Sequence, residues 1–129
     1  MTICFGRDVL QPSLHRAPAV RGWPTATAVM YEFDCVECRT SVRVDVFKLA
    51  NGQDAAVLGS ENATAVKQYF DFNLVGKSHD GGWPRFAVET CSHCGSRYLI
   101  YAGVQEPANG YYIITVQGIV EFQSEPPAV

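Results

Sequence analysis

Two short cysteine motifs, Cys35-Val36-Glu37-Cys38 and Cys91-Ser92-His93-Cys94, constrain this chain more than any other feature. Two intervening residues let the backbone turn as a knuckle that aims both sulfurs at one point, and two knuckles supply the four ligands of a closed tetrahedral site. Four thiolates saturate zinc, whereas a catalytic zinc keeps one position open for water. Cys35, Cys38, Cys91 and Cys94 therefore point to a structural Zn2+ ion that holds the fold and does no chemistry. Three rival readings share the spacing: redox-active dithiols, an iron–sulfur centre, and plain unligated cysteines. A thioredoxin-type dithiol sits at the head of a helix in a βαβ unit, and neither knuckle here is followed by a helical pattern. His93, between two ligands, reads as a solvated knuckle residue pointing away from the metal, with its replacement of Cys91 as ligand the alternative.

The flanks agree with the motif, since small or polar residues follow each knuckle and a strand-like run comes next. Gly95 stands where a backbone of positive φ turns its amides toward the sulfurs, a conformation glycine adopts without steric cost. On these residues the chain resembles the zinc-ribbon proteins, whose rubredoxin-like knuckles read CxxC or CxxCG. It departs from their compact pattern at Arg39, where glycine is common, and in having residues 39–90 between the knuckles, against a usual interval of about 15–20. The long interval favours a ribbon with an inserted β-sheet.

A chain of 129 residues fits one domain with a buried core. The five cysteines leave Cys4 over, and paired CxxC motifs with an odd cysteine suit a reducing compartment and a cytoplasmic address better than a disulfide framework. Cys4 itself reads as a half-buried apolar filler. No run is apolar enough for a membrane helix, and the first residues lack a signal-peptide core. The chain carries −3; residues 1–29 hold Arg7, Arg16 and Arg21 against Asp8, a local +2, which leaves −5 on the remainder. A negative body opposes phosphate-backbone binding.

Residues 1–29, with Pro12, Pro18 and Pro24, show no helical or alternating period and read as an irregular arm against the body. Met30 stands where the compact domain, residues 30–124, begins, so the arm is either functional or a start-site artefact. Val42, Val44 and Val46 alternate with polar residues, predicting a strand over 41–49, and Asn51-Gly52 a turn. Short helical turns are expected near Ala55 or Ala63, then an aromatic strand over 67–75 closed by Gly76. In the loop 76–84, His79, Asp80 and Trp83 read either as a recognition loop or, preferably, as a glycine turn at Gly81-Gly82 with Trp83 lidding the core. Strands follow at 85–89, 97–104 and 111–122, with a bulge or bend at Gly118 and a loose tail at 125–129. The sum is a mainly β protein: an antiparallel sheet or small β-sandwich with a zinc ribbon formed by the two knuckles.

No phosphate loop, HExxH, GxSxG or Ser/His/Asp grouping stands out, so a non-enzymatic role is expected. The leading expectation is a zinc-stabilised module that binds another protein. Glu106, Pro107, Asn109, Gly110, Tyr111, Tyr112, Gln117, Gly118 and Ile119 carry a resemblance to small bacterial proteins encoded beside toxins and regarded as immunity proteins. That resemblance implies a toxin as partner, and an acidic surface suits a basic toxin. The alternatives are a nucleic-acid-binding ribbon, with Tyr98, Tyr101 and Tyr111 stacking bases and Arg39, Arg43, Arg85 and Arg97 meeting phosphates, and a redox or metal-handling dithiol protein.

Overall fold

The run Arg97–Ala108 is apolar on both sides of its period from Tyr98 to Val104, which is what a strand buried on two faces requires. The computed structural model, which describes residues 3–10, 20–23, 29–70, 78 and 82–124, places it at the centre of the main sheet. In chain order the elements are β1 (Ile3–Leu10), β2 (Val20–Gly22), β3 (Met30–Asp34), β4 (Ser41–Asp45), α1 (Ala63–Tyr69), β5 (Trp83–Thr90), β6 (Arg97–Ala108) and β7 (Tyr111–Ser124). The main sheet runs β1-β7-β6-β5, all antiparallel, and β2 joins the same edge of β7 as β1, beside the other half of the strand. β3 and β4 form a separate two-stranded sheet.

Alternation along β6 divides the core. Tyr98, Ile100, Ala102 and Val104 face the β3–β4 sheet with its Phe33, Val42 and Val44, while Leu99 and Tyr101 face Val66 and Phe70 of the helical segment. In β7 the paired positions jump from Ala102↔Val116 to Tyr101↔Gly118, the bulge expected at Gly118. A Cβ on Gly118 would lie 2.5 Å from the Phe70 ring, so the residue also makes room for that ring against the sheet. The segment carrying the immunity-type resemblance thus builds a turn and a bulge: Glu106 Oε2 accepts from Gly110 N at 2.8 Å between β6 and β7, and Gln117 and Gly118 form the irregularity.

The antiparallel β architecture matches the sequence reading; several elements differ. β4 stops at Asp45, whose carboxylate accepts from Phe47 N at 3.2 Å and starts a 3-10 turn over Val46–Asn51, so Val46 is buried but not on the strand. Helical turns do occur at Ala55–Leu58 and Ala63–Tyr69. Lys67, Gln68 and Tyr69 are helical, not strand, because burial of Val66 and Phe70 four residues apart follows the helical period; residues 71–75 lie outside the described residues. Trp83 opens β5 and is 56% exposed, so it does not lid the core. His79, Asp80, Gly81 and the tail 125–129 also lie outside the described residues. Inside 1–29, the segments Ile3–Leu10 and Val20–Gly22 are strands on β7 near the other end of the sequence, a long-range pairing that no local period announces.

Candidate metal centre

Each knuckle is the turn of a hairpin. Asp34↔Ser41 is the last pair of β3–β4 before Cys35–Thr40, and Thr90↔Arg97 the last pair of β5–β6 before Cys91–Ser96. The two turns repeat one hydrogen-bond scheme. Cys35 N donates to Thr40 O at 2.9 Å and Arg39 N to Cys35 O at 2.9 Å; Cys91 N donates to Ser96 O at 2.8 Å and Gly95 N to Cys91 O at 2.9 Å. Arg39 and Gly95 are equivalent, with φ of 67° and 81°. Gly95 therefore has the positive φ expected of it, and Arg39 adopts the same conformation with a side chain that disfavours it.

The hairpins bring the four sulfurs of Cys35, Cys38, Cys91 and Cys94 within 4.8 Å of one another. Cys35 Sγ lies 3.5 Å from Cys94 Sγ, and Cys38 Sγ 3.6 Å from Cys91 Sγ. Sulfurs bound to one zinc at about 2.3 Å stand about 3.8 Å apart at the corners of a tetrahedron, whereas a disulfide needs about 2.05 Å. All five cysteines are free. The four sulfurs thus meet the spacing of a four-ligand metal centre, with one close contact of each pair made across the knuckles. Cys35 and Cys91 are buried, Cys38 is half-buried and Cys94 exposed, so the site lies at the rim of the core.

Tyr98 is the residue near the site that sequence reasoning placed elsewhere, as a stacking or packing aromatic. It is fully buried on β6, its hydroxyl donates to Cys35 Sγ at 3.1 Å and accepts from Val36 N at 2.9 Å, and its ring meets Phe33 edge-on at 5.0 Å. The signal available was the tyrosine in a continuous apolar run, since a buried hydroxyl has to find a partner. Burial pushes the Cys35 thiol up, but hydrogen bonds from Tyr98, the Cys38 and Glu37 amides and Cys94 outweigh it and draw the value down to about 6. The thiolate is the form that binds metal. Burial and the bond to Cys35 push the Tyr98 hydroxyl well above its ordinary value, so it stays a proton donor to sulfur. Cys94 receives a comparable polar contact from Ser96 Oγ at 3.2 Å. His93 is exposed on the knuckle, while Cys91 occupies the cluster.

Beside the knuckles lies a cavity of about 370 Å³ walled by Cys4, Arg7, Glu37, Ser96, Arg97 and Glu121 among others. Cys4 is half-buried there and stands outside the four-sulfur cluster. No helix among the described residues is long and apolar enough to cross a membrane. Compared with protein-family models, curated proteins and solved structures, the chain matches none of them.

Proposed function

We propose that the chain is a non-enzymatic protein-binding module whose fold is completed by one structural Zn2+ ion on Cys35, Cys38, Cys91 and Cys94. The observation that carries this reading is the convergence of four sulfurs from two hairpins that share no sheet. Four sulfur ligands leave zinc no open position for substrate or water, which supports a structural role over a catalytic one. When bound, the ion cross-links the β3–β4 hairpin to the main sheet; Tyr98 orients the Cys35 sulfur, and Phe33, Val42 and Val44 fill the space beneath. A two-stranded hairpin is marginal alone, so the ion's binding energy is also folding energy.

Exposed aromatics support a protein partner. Trp23 is 61% and Trp83 56% exposed, and tryptophan is among the residues enriched at the energetic centres of protein interfaces. Tyr98 and Tyr101 are fully buried, which removes two of the three rings a nucleic-acid surface would stack on, and Arg43 is paired with Glu32 at 2.9 Å. The finer reading is an immunity protein that neutralises a cognate toxin, on the resemblance at Glu106–Ile119 and the acidic balance of the body. The test is calorimetry of the zinc-loaded chain with a toxin encoded beside it. A complex that weakens for Trp23→Ala or Trp83→Ala is expected, and no detectable heat or complex with the wild-type chain would reject the immunity reading.

A further inference from the structure

β1 is an edge strand that pairs irregularly with β7. Its ladder runs through Ile3↔Ser124, Cys4↔Gln123 and Phe5↔Phe122, then shifts before Asp8↔Val120 and again before Leu10↔Ile119. Arg7 sits in the first gap, where a side chain does what the ladder does elsewhere. Its guanidinium donates to both Glu121 oxygens, Nε to Oε1 at 3.2 Å and Nη2 to Oε2 at 3.1 Å. The same group reaches the first knuckle, with Nη2 to Glu37 Oε2 at 2.6 Å and Nη1 to the Val36 carbonyl at 3.4 Å. Gly6 leaves the space that the Glu121 carboxylate occupies, since a Cβ there would stand 2.6 Å from Oε1. One guanidinium therefore ties together the N-terminal strand, the centre of the sheet and the two residues between Cys35 and Cys38.

We propose that β1 is a strap whose docking on β7 is controlled by the metal centre, with Arg7 as its clasp; the inference rests on the metal reading above. With Cys35 and Cys38 both bound to an ion, Val36 and Glu37 are held in place on a fixed turn. Without the ion, that turn keeps the backbone bonds of its own hairpin and the bond from Val36 N to the Tyr98 hydroxyl, and the Glu37 side of the clasp loosens. What remains on β1 is its interrupted ladder to β7, the bond to Glu121, Leu10 in the core, the Phe5 ring stacked on Tyr69 at 4.4 Å, and the hydrogen bond from Tyr69 to Asp8. Release of the strap uncovers the edge of β7 from Ile119 to Ser124 and removes one wall of the cavity beside the knuckles. Exposed ion pairs are individually weak, so the clasp sets a graded opening, not an all-or-none one.

Hydrogen exchange on the full chain, followed by mass spectrometry, tests the strap. Glu37→Gln keeps both knuckle backbones and all four thiols. In its zinc-loaded form, β1 amides, and the β7 amides of 119–124 that face β1, are expected to exchange about two- to fivefold faster than in the wild type, with β6 unchanged. Stripping zinc from the wild type should speed β1 at least as much, and stripping it from Glu37→Gln should add less, because the clasp is already weakened. Equal β1 exchange in the two loaded proteins overturns the clasp. An equal increment on stripping both proteins overturns its control by the metal. A native mass spectrum of the wild type with no bound ion sinks the metal reading itself, an outcome read separately from the exchange rates.

Discussion

The two knuckles share a backbone and differ in what holds them. The second, Cys91–Ser96, closes the β5–β6 hairpin, whose strands lie in the main sheet with Leu99 and Ile100 fully buried next to it. Gly95 takes its positive φ there without strain. The first, Cys35–Thr40, closes a hairpin with no third strand among the described residues, places Arg39 at the same φ, and relies on contacts from outside: Tyr98 from β6 and Arg7 from β1. The difference teaches that one half of the four-cysteine cluster is organised by the main sheet, while the other is positioned by contacts from neighbouring elements, which on the proposed reading an ion would complete.

The largest test of that asymmetry is removal of a ligand. Cys38→Ser or Cys94→Ser should abolish tight metal binding, and because structural zinc is worth roughly 10–16 kcal/mol of apparent binding energy, the protein should lose cooperative thermal unfolding or aggregate. Exchange protection should vanish first at residues 30–45 and persist longest in β6 and β7; equal loss in both hairpins would break the comparison.

Tyr98→Phe comes next. It leaves the Val36 amide without its partner and the Cys35 sulfur without a donor, so a stability loss of about 1–3 kcal/mol in denaturant titration and a metal affinity lower by about 10–100-fold are expected. A competition assay with a chelator of known affinity reads the second effect. Unchanged affinity would show that the hydroxyl only packs.

The equivalent turn positions give a smaller, paired test. Gly95→Ala should destabilise by about 1 kcal/mol through its φ alone, since a Cβ there would meet nothing within 4 Å. Arg39→Gly relieves the same strain in the first knuckle and should stabilise by about 0.5–1 kcal/mol. Thermal melts that shift in opposite directions fit the account; a shift in the same direction contradicts it.

The smallest effect is a pH dependence. Hydrogen bonding to Arg7, against a lesser push from burial, holds the Glu121 carboxyl below its usual value. A carboxyl depressed in the folded state contributes stability above its unfolded pKa of about 4.3, and that contribution is lost as pH falls through the folded value. Acid unfolding of the wild type should therefore steepen below about pH 4 relative to Glu121→Gln. Superimposable acid profiles would remove Glu121 from the account.

What the sequence disclosed follows from how local each feature is. The knuckles, the turn at Gly95, the bulge at Gly118 and the strands β5 to β7 are written in spacings of a few residues. β1 and β2 were not legible, because their partner is β7 at the far end of the chain, two register shifts erase any period of two in β1, and β2 is only three residues long. The helical turn at Lys67–Tyr69 was hidden by aromatic residues that favour strands, although Val66 and Phe70 carried the helical spacing. The sulfur ligand set was visible as a motif, whereas Tyr98 was not, since its target on the first knuckle lies 62 positions away.

The central claim is one ion held by four thiolates from two hairpins. Native mass spectrometry combined with alkylation of the folded chain addresses it most directly. The account predicts one zinc per chain, with Cys4 modified readily and the other four cysteines protected until a chelator removes the ion. A metal-free chain in which Cys35, Cys38, Cys91 and Cys94 react according to exposure alone would contradict it.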